Sequence, residues 1–292
     1  MTPSPADLPP ALAAWLPLLR CPTCADTLTA DGRSLRCPQR HSFDRARAGY
    51  VSLLGGAGAV SGDDESMARA RERFLTTGAY DPLLTALGDL AEETVPALRQ
   101  DERSTVLDAG CGPGWYLAGM LERFDGAVGL GLDTSARSLR SAARAHERAA
   151  AVTGDVFAPF PLATGSVDLL LDVFAPRNPG EFARVLRPGG ALLVARPAEA
   201  HLAELREVVP GMVSVDPRKE ERLHRALDPL FTLVAEREVH SELVLTAEQA
   251  QDLVAMTPSA RHVDPATVGA ALASTDGLAV RLDVRLSAHR PR

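Results

Sequence analysis

Three of the chain's four cysteines, together with a histidine, fall between Cys21 and His41, in the order Cys21-x2-Cys24, twelve residues, Cys37-x3-His41. Two thiolates separated by two residues point at one ion from a single tight turn. A second turn offering Cys and His completes the tetrahedral Cys3His set of a closed zinc site. Pro22 and Pro38 follow the first and third cysteines and supply turn chemistry at each knuckle. Between the knuckles, "TLTADGRSLR" alternates around Asp31-Gly32, which predicts a hairpin turning at that dipeptide. The pattern predicts a zinc ribbon. A redox pair at "CPTC" would need a surrounding βαβ pattern, which is absent. Two disulfides would have to recruit Cys111, far along the chain in a different kind of loop. Four protein ligands leave no position for water, so the ion's role is structural, holding a module too small for its own core.

The chain of 292 residues is long enough for one large or two unequal domains, and its 46% hydrophobic and 24% charged residues are ordinary for a globular protein. Aromatic residues make up 4%, and Lys219 is the single lysine among 31 basic residues, a bias of composition more than of function. No apolar run reaches the about 18 residues of a membrane span. "MTPSPADLPP" lacks the basic-then-apolar order of a secretory signal, and thiols reserved for metal point to the cytoplasm. The net charge of −7 argues against non-specific nucleic-acid binding by the whole chain. Residues 20–50 nevertheless carry Arg20, Arg33, Arg36, Arg40, Arg45 and Arg47 against Asp26, Asp31 and Asp44. That basic module suits local RNA contact, as it suits a solvated positive face.

Residues 55–62 are rich in Gly, Ala and Ser and predict a linker, and the stretch from Asp63 to Arg99 predicts two helices interrupted at Gly78 and near Pro82 and Pro96. From Ser104 the style changes. "STVLDA", "AVGLGLD", "AAVTGDV", "VDLLLDVFAP" and "ALLVARP" are five apolar strands, each of the first four followed by a turn or helix, the second helix running to about Ala149. This alternation predicts a parallel doubly wound sheet. Two alternating strands around a helix close the chain as an antiparallel pair. The expected organisation is a zinc-ribbon module over 1–54, a linker and helical segment over 55–103, and an α/β domain over 104–292.

"VLDAGCGPG" places Gly110, Gly112 and Gly114 at the carboxyl end of the first strand, where open α/β sheets take their ligands. The third glycine comes one residue too early for the dinucleotide fingerprint. With Asp108 ending the first strand, Asp133 ending the second and "LRPGG" before the fifth, the pattern resembles class I (Rossmann-like) S-adenosylmethionine-dependent methyltransferases. The resemblance implies that the loop cradles the methionyl part of the cofactor, that Asp133 binds both ribose hydroxyls, and that Asp155 lies by the adenine amino group. A carboxylate accepts two hydroxyl hydrogen bonds well. Cys111 reads as a small loop residue rather than a nucleophile.

The motifs "CPTC", "LRCPQRHSFDRARAGYVSLL", "FLTTGAYDPL", "VLDAGCGPGWY", "VFAPRNPGEFARVLRPGG" and "HLAELRE" together resemble the 23S ribosomal RNA guanine-N1 methyltransferases of the RlmA type, over nearly the whole chain. The resemblance implies zinc ligands Cys21, Cys24, Cys37 and His41, and cofactor contacts at Tyr80, Gly112, Pro113 and His201. It also implies a ribbon that helps recognise a hairpin in domain II of 23S rRNA, a homodimer, and in some members protection from macrolides. The chain departs from relatives at "GGAGAVSGDDE", where they can be more basic, and at Ser259 and Ala260, where they can carry aromatics.

Guanine N1 carries a proton at neutral pH, so its methylation requires that the proton be removed or the enolate-like base be stabilised. Asp172, in "LDVFAPRNP", is a candidate proton acceptor, or a residue capping the strand. Arg177 and Asn178 are candidates to meet the base or its phosphate, or to be solvated. Arg69 and Arg73 share a helix face and suit phosphates or pairing with Glu65 and Glu72. Two other functions fit less well: a small-molecule methyltransferase of the same build, and a non-catalytic RNA-binding protein.

Overall fold

In a computed structural model, which describes residues 8–54, 62–99, 103–214, 218–273 and 277–292, helix α1 (Pro10–Trp15) precedes the ribbon. The ribbon is a three-stranded antiparallel sheet of β1 (Thr29–Asp31), β2 (Ser34–Arg36) and β3 (Ser42–Asp44). Asp31 pairs with Ser34, so the turn is Gly32-Arg33 and not Asp31-Gly32. Gly32 takes the left-handed φ of 61° that a tight hairpin needs at its first loop position. The predicted pair of helices follows as α2 (Glu65–Leu75) and α3 (Asp81–Thr94). Asp64 caps α2 by accepting the Met67 N–H, and Pro82 stands in the first turn of α3, where its missing N–H costs nothing.

The doubly wound part runs β4 (Ser104–Ala109), α4 (Trp115–Arg123), β5 (Ala127–Asp133), α5 (Ala136–Ala142), β6 (Ala149–Thr153), β7 (Val167–Val173), α6 (Pro179–Val185) and β8 (Leu186–Pro197). α5 stops at Ala142, and Ala149 already belongs to a strand. The alanine-rich sequence hides that break; Arg148, in the turn before the strand, donates to the Leu121, Phe124 and Ala127 carbonyls at the end of α4 and start of β5. After α7 (Ala203–Val208) and α8 (Lys219–Leu227), β9 (Phe231–Leu245) and β10 (Leu278–Pro291) bracket α9 (Ala247–Ala255) and α10 (Pro265–Leu272). The seven-stranded sheet has the order β6-β5-β4-β7-β8-β10-β9, with β10 antiparallel to both its neighbours and the rest parallel. Its central strands are buried on both faces, which is why they read as continuous apolar runs.

Each face of the sheet has its own core. α3 and α4 cover one with Leu83, Leu87, Leu90, Leu117 and Met120. On the other, Trp15 of α1 is fully buried beside Leu130, Val152 and Phe182. The segment after the ribbon runs beside β6 and pairs in parallel with it, Val51 against Val152. The ribbon and both preceding and following segments are thus packed onto the sheet. Most of the predicted linker (55–61) and residues 1–7 lie outside the described residues. No helix among the described residues is long and apolar enough to cross a membrane.

Candidate metal centre and cofactor cavity

The four predicted ligands Cys21, Cys24, Cys37 and His41 converge, with donor atoms all within 4.8 Å of one another. The Cys24 and Cys37 sulfurs are 3.7 Å apart, and His41 Nδ1 stands 3.5 Å from the Cys21 sulfur and 3.3 Å from that of Cys37. A zinc tetrahedron with Zn–S near 2.3 Å and Zn–N near 2.0 Å has edges of about 3.5–3.8 Å, so the donor set fits that ion and leaves no open position. Each knuckle is a backbone turn. The Ala25 N–H donates to the Cys21 carbonyl and the Arg40 N–H to that of Cys37. Ala25 and Arg40 take left-handed φ values of 60° and 66°, conformations disfavoured for residues with a side chain. The two turns bring the four donors together.

A second site opens at the carboxyl ends of β4, β5, β6 and β7. The Gly110 and Cys111 N–H groups both donate to the Leu132 carbonyl, folding the glycine loop back onto β5. A Cβ at Gly110 would stand 2.7 Å from that of Ala175, so glycine is required there by φ (81°) and by space. Gly112 and Pro113 line the cavity, whereas Gly114 turns into α4, where a Cβ would meet the Ala142 Cα at 2.9 Å. Cys111 packs under the loop, and burial pushes its thiol up, which suits a packing residue and not a nucleophile.

Asp133 faces the cavity with one carboxylate oxygen accepting the Gly112 N–H (2.9 Å) and the other the Ser135 N–H (2.8 Å). Burial raises its pKa against those two donors. Each oxygen keeps a lone pair for a further donor. Asp155 lines the cavity one strand over and accepts the Phe157 N–H at 2.9 Å. Tyr80, 2% exposed, forms another wall, edge-on to Phe74 and near Phe174. Asp108 is 1% exposed, and its Oδ2 has no hydrogen-bond partner among the described residues. Burial, with the Asp133 and Asp172 charges, pushes its pKa up to about 8.

Besides Gly114, His201 and Asp172 do not line the cavity. His201 lies one layer behind it: its ring stacks on Phe174, which lines the wall, and its Nδ1 accepts the Asp283 N–H at 3.3 Å. Asp172 is 0% exposed and shares the sheet face of Leu170 and Val194, where it pairs with Arg177 at 2.5 Å. The reading of Asp172 as proton acceptor gives way to that of a buried structural ion pair. Asn178 accepts the Glu181 N–H and caps α6. Of the helix arginines, Arg69 pairs with Glu65, but Arg73 takes Asp252 across to α9, while Glu72 pairs with Arg137.

Arg71 and Asp63, both on the cavity wall, carry no motif that marks them in the sequence. Arg71 Nε donates to Asp63 Oδ2 at 2.7 Å, and its Nη2 reaches Asp63 Oδ1 (3.2 Å) and the Met256 carbonyl (2.7 Å). The i, i+4 spacing that singled out Arg69 and Arg73 describes the outer face of α2. Arg71, two residues on, belongs to the inner one.

A glycine cradle, a paired acceptor at the end of the second strand and an orphaned buried carboxylate at the end of the first fit a nucleoside bearing a cationic amino-acid chain. Fold and site define a class I S-adenosylmethionine-dependent methyltransferase carrying a structural zinc ribbon. The RlmA N-terminal zinc-ribbon family matches residues 19–55, and a methyltransferase domain family matches residues 106–190. A protein of Micromonospora griseorubida, named a candidate 23S rRNA (guanine-N1)-methyltransferase, is 44% identical over 94% of this chain and 98% of its own. The 23S rRNA (guanine(748)-N1)-methyltransferase of Streptomyces fradiae is 42% identical over 94% and 96%. A candidate 23S rRNA (guanine-N1)-methyltransferase of Bacillus subtilis is 34% identical over 65% and 68%. The chain belongs to the family of 23S rRNA guanine-N1 methyltransferases.

Proposed function

We propose that this protein transfers the methyl group of S-adenosylmethionine to N1 of a guanine in a hairpin loop of 23S rRNA domain II. The observation that carries the reading is the similarity to the Streptomyces fradiae enzyme, which runs through ribbon and sheet alike. The bound cofactor supplies an electrophilic methyl group. The chain's own task is to hold that group and the base in line. Asp133 is assigned to the ribose hydroxyls, Asp155 to the adenine edge and Asp108 to the ammonium. Gly110, Gly112 and Pro113 let the methionyl chain approach the backbone. Tyr80 closes the cavity above, with Phe174 between it and His201, which acts by fixing the Phe174 ring. Gly114 permits the tight turn into α4.

Cys21, Cys24, Cys37 and His41 are assigned to one structural zinc. The ribbon's arginines support its reading as the module that meets RNA phosphates, and a loop guanine, already outside a continuous stack, is cheap to extrude. The family resemblance supports a homodimer, tested by light scattering, and macrolide protection, tested by susceptibility of a host expressing the protein.

The test is labelled methyl transfer to 23S rRNA lacking the modification, followed by reverse transcription. A methyl on N1 blocks the Watson–Crick edge, so the expected result is a stop at one domain II guanine. Label without a stop would move the target atom. No label on naked RNA or on ribosomal particles would turn the reading toward a small-molecule acceptor.

A further inference from the structure

The amino-acid end of the cofactor is a zwitterion and needs an anion and a cation in the cavity. Asp108 offers the anion, buried and with an unsatisfied oxygen. Among the described residues lining the cavity, Arg71 is the single cationic side chain. It stands on the side that this end must occupy. With the ribose at Asp133 and the adenine toward Asp155 and Val156, the remaining chain runs back along the Gly110–Gly112 loop. A Cβ at Gly112 would lie 3.3 Å from the Arg71 Cδ, so a larger residue in the loop would press on this arginine.

We infer that Arg71 is the anchor for the methionyl carboxylate, and that Asp63 is the positioning residue that fixes its guanidinium. The inference rests on the cofactor reading above and deepens it. Arg71 meets Asp63 through Nε and Nη2 and the Met256 carbonyl through Nη2. These bonds set the plane of the fork and leave Nη1 without a hydrogen bond to any described residue. The side chain is 25% exposed, so a carboxylate meeting Nη1 does so largely out of water, where a charge-assisted hydrogen bond is strong. Burial works against the Arg71 charge, and the hydrogen bonds and charge of Asp63 more than offset it, so the guanidinium stays ionised in the site. Asp63 is itself tied down: the Ser135 hydroxyl donates to its backbone carbonyl at 3.0 Å. The carboxylate anchor and the ribose acceptor Asp133 are thereby joined through one short segment.

The test is calorimetric binding of S-adenosylmethionine and of its decarboxylated analogue, which keeps the ammonium and loses only the carboxylate. Wild-type protein is expected to prefer the intact cofactor. Arg71→Met is expected to weaken the intact cofactor by about 10- to 150-fold, the range of a lost charged hydrogen bond, while the analogue changes less than about twofold. Asp63→Asn is expected to give a smaller loss confined to the intact cofactor. Arg71→Lys, which keeps the charge and loses the fork, guards against a variant that fails to fold and is expected to recover part of the preference. Equal weakening of both ligands by Arg71→Lys and Arg71→Met would overturn the inference. So would unchanged cofactor binding with lost methyl transfer, which would assign Arg71 to the RNA. Wild-type protein that binds neither ligand would overturn the cofactor reading itself, and this inference with it.

Discussion

The Thr153 N–H donates to the Val51 carbonyl at 2.9 Å, and the Val51 N–H donates in turn to Ala151 at 3.0 Å. The Thr153 hydroxyl oxygen also accepts the N–H groups of Leu53 and Leu54. The chain leaving the ribbon is therefore stitched to the strand whose next residues, Gly154 and Asp155, line the cofactor cavity. Zinc binding free energy is folding free energy for a module this small. Chelation of zinc, or Cys37→Ser, is expected to lower the melting temperature and to weaken S-adenosylhomocysteine binding several-fold. Metal content by mass spectrometry, melting curves and calorimetry check it. A ribbon that unravels with the cofactor affinity intact would separate the two sites.

The two Asp133 oxygens that hold Gly112 and Ser135 are the same two assigned to the ribose. Asp133→Ala removes the acceptors of Gly112 and Ser135 as well as those of the cofactor. A hydrogen bond to a charged group is worth about 1.5–3 kcal/mol, so a loss of at least about 10-fold in S-adenosylhomocysteine affinity is expected. Adenosine is expected to lose affinity with it, and adenine, which lacks the ribose, to change little. Calorimetry with the three ligands checks the assignment.

Much of this was legible in the sequence because two features are local. The zinc knuckles sit within a few residues of each other, and the glycine loop follows its strand directly. The misses have one common cause, which is that facing is set by tertiary packing. Asp172 stands on a strand buried on both sides, so an apolar run around it cannot say which face it takes. Its register partner Val194 places it away from the cavity. Arg71 is joined to the cavity by Asp63 and by Met256, a residue far along the chain, and no spacing within α2 encodes that contact. His201 falls one layer short because Phe174, at a left-handed φ of 54°, fills the space between.

The Asp172–Arg177 pair leads to a stability prediction in place of a catalytic one. Asp172 is fully buried, and the Arg177 side chain is 18% exposed. Asp172→Asn leaves the guanidinium without its counter-charge, a change that costs about 3–5 kcal/mol where a buried pair is broken. The expected outcome is a lower denaturation midpoint, with S-adenosylhomocysteine affinity of the folded protein, measured above about pH 8 where Asp108 is already ionised, unchanged within about twofold. Urea unfolding followed by tryptophan fluorescence, with calorimetry under native conditions, checks both halves. A variant of wild-type stability that cannot transfer methyl would return Asp172 to the reaction.

The assignment of Asp108 to the cofactor's ammonium predicts that cofactor binding depends on pH. In the ligand-free protein, burial and then the Asp133 and Asp172 charges hold its pKa near about 8, so below that pH the group is mostly protonated. A bound ammonium favours the ionised form and pulls the pKa down. Binding then releases a proton at any pH between the two values, so affinity falls as pH is lowered from about 8 toward 6, by up to tenfold per unit. The stability of the ligand-free protein has the opposite slope. A carboxyl group whose folded pKa is raised binds more protons folded than unfolded, so its contribution is present in acid and is lost as pH rises toward about 8. Calorimetry of S-adenosylhomocysteine across pH 6 to 8 in buffers of different ionisation enthalpy checks the sign through the proton released. Asp108→Asn, isosteric and uncharged, is expected to flatten the profile and to bind weakly throughout. A profile in that variant as steep as in the wild type would assign the proton to another group on the cavity wall.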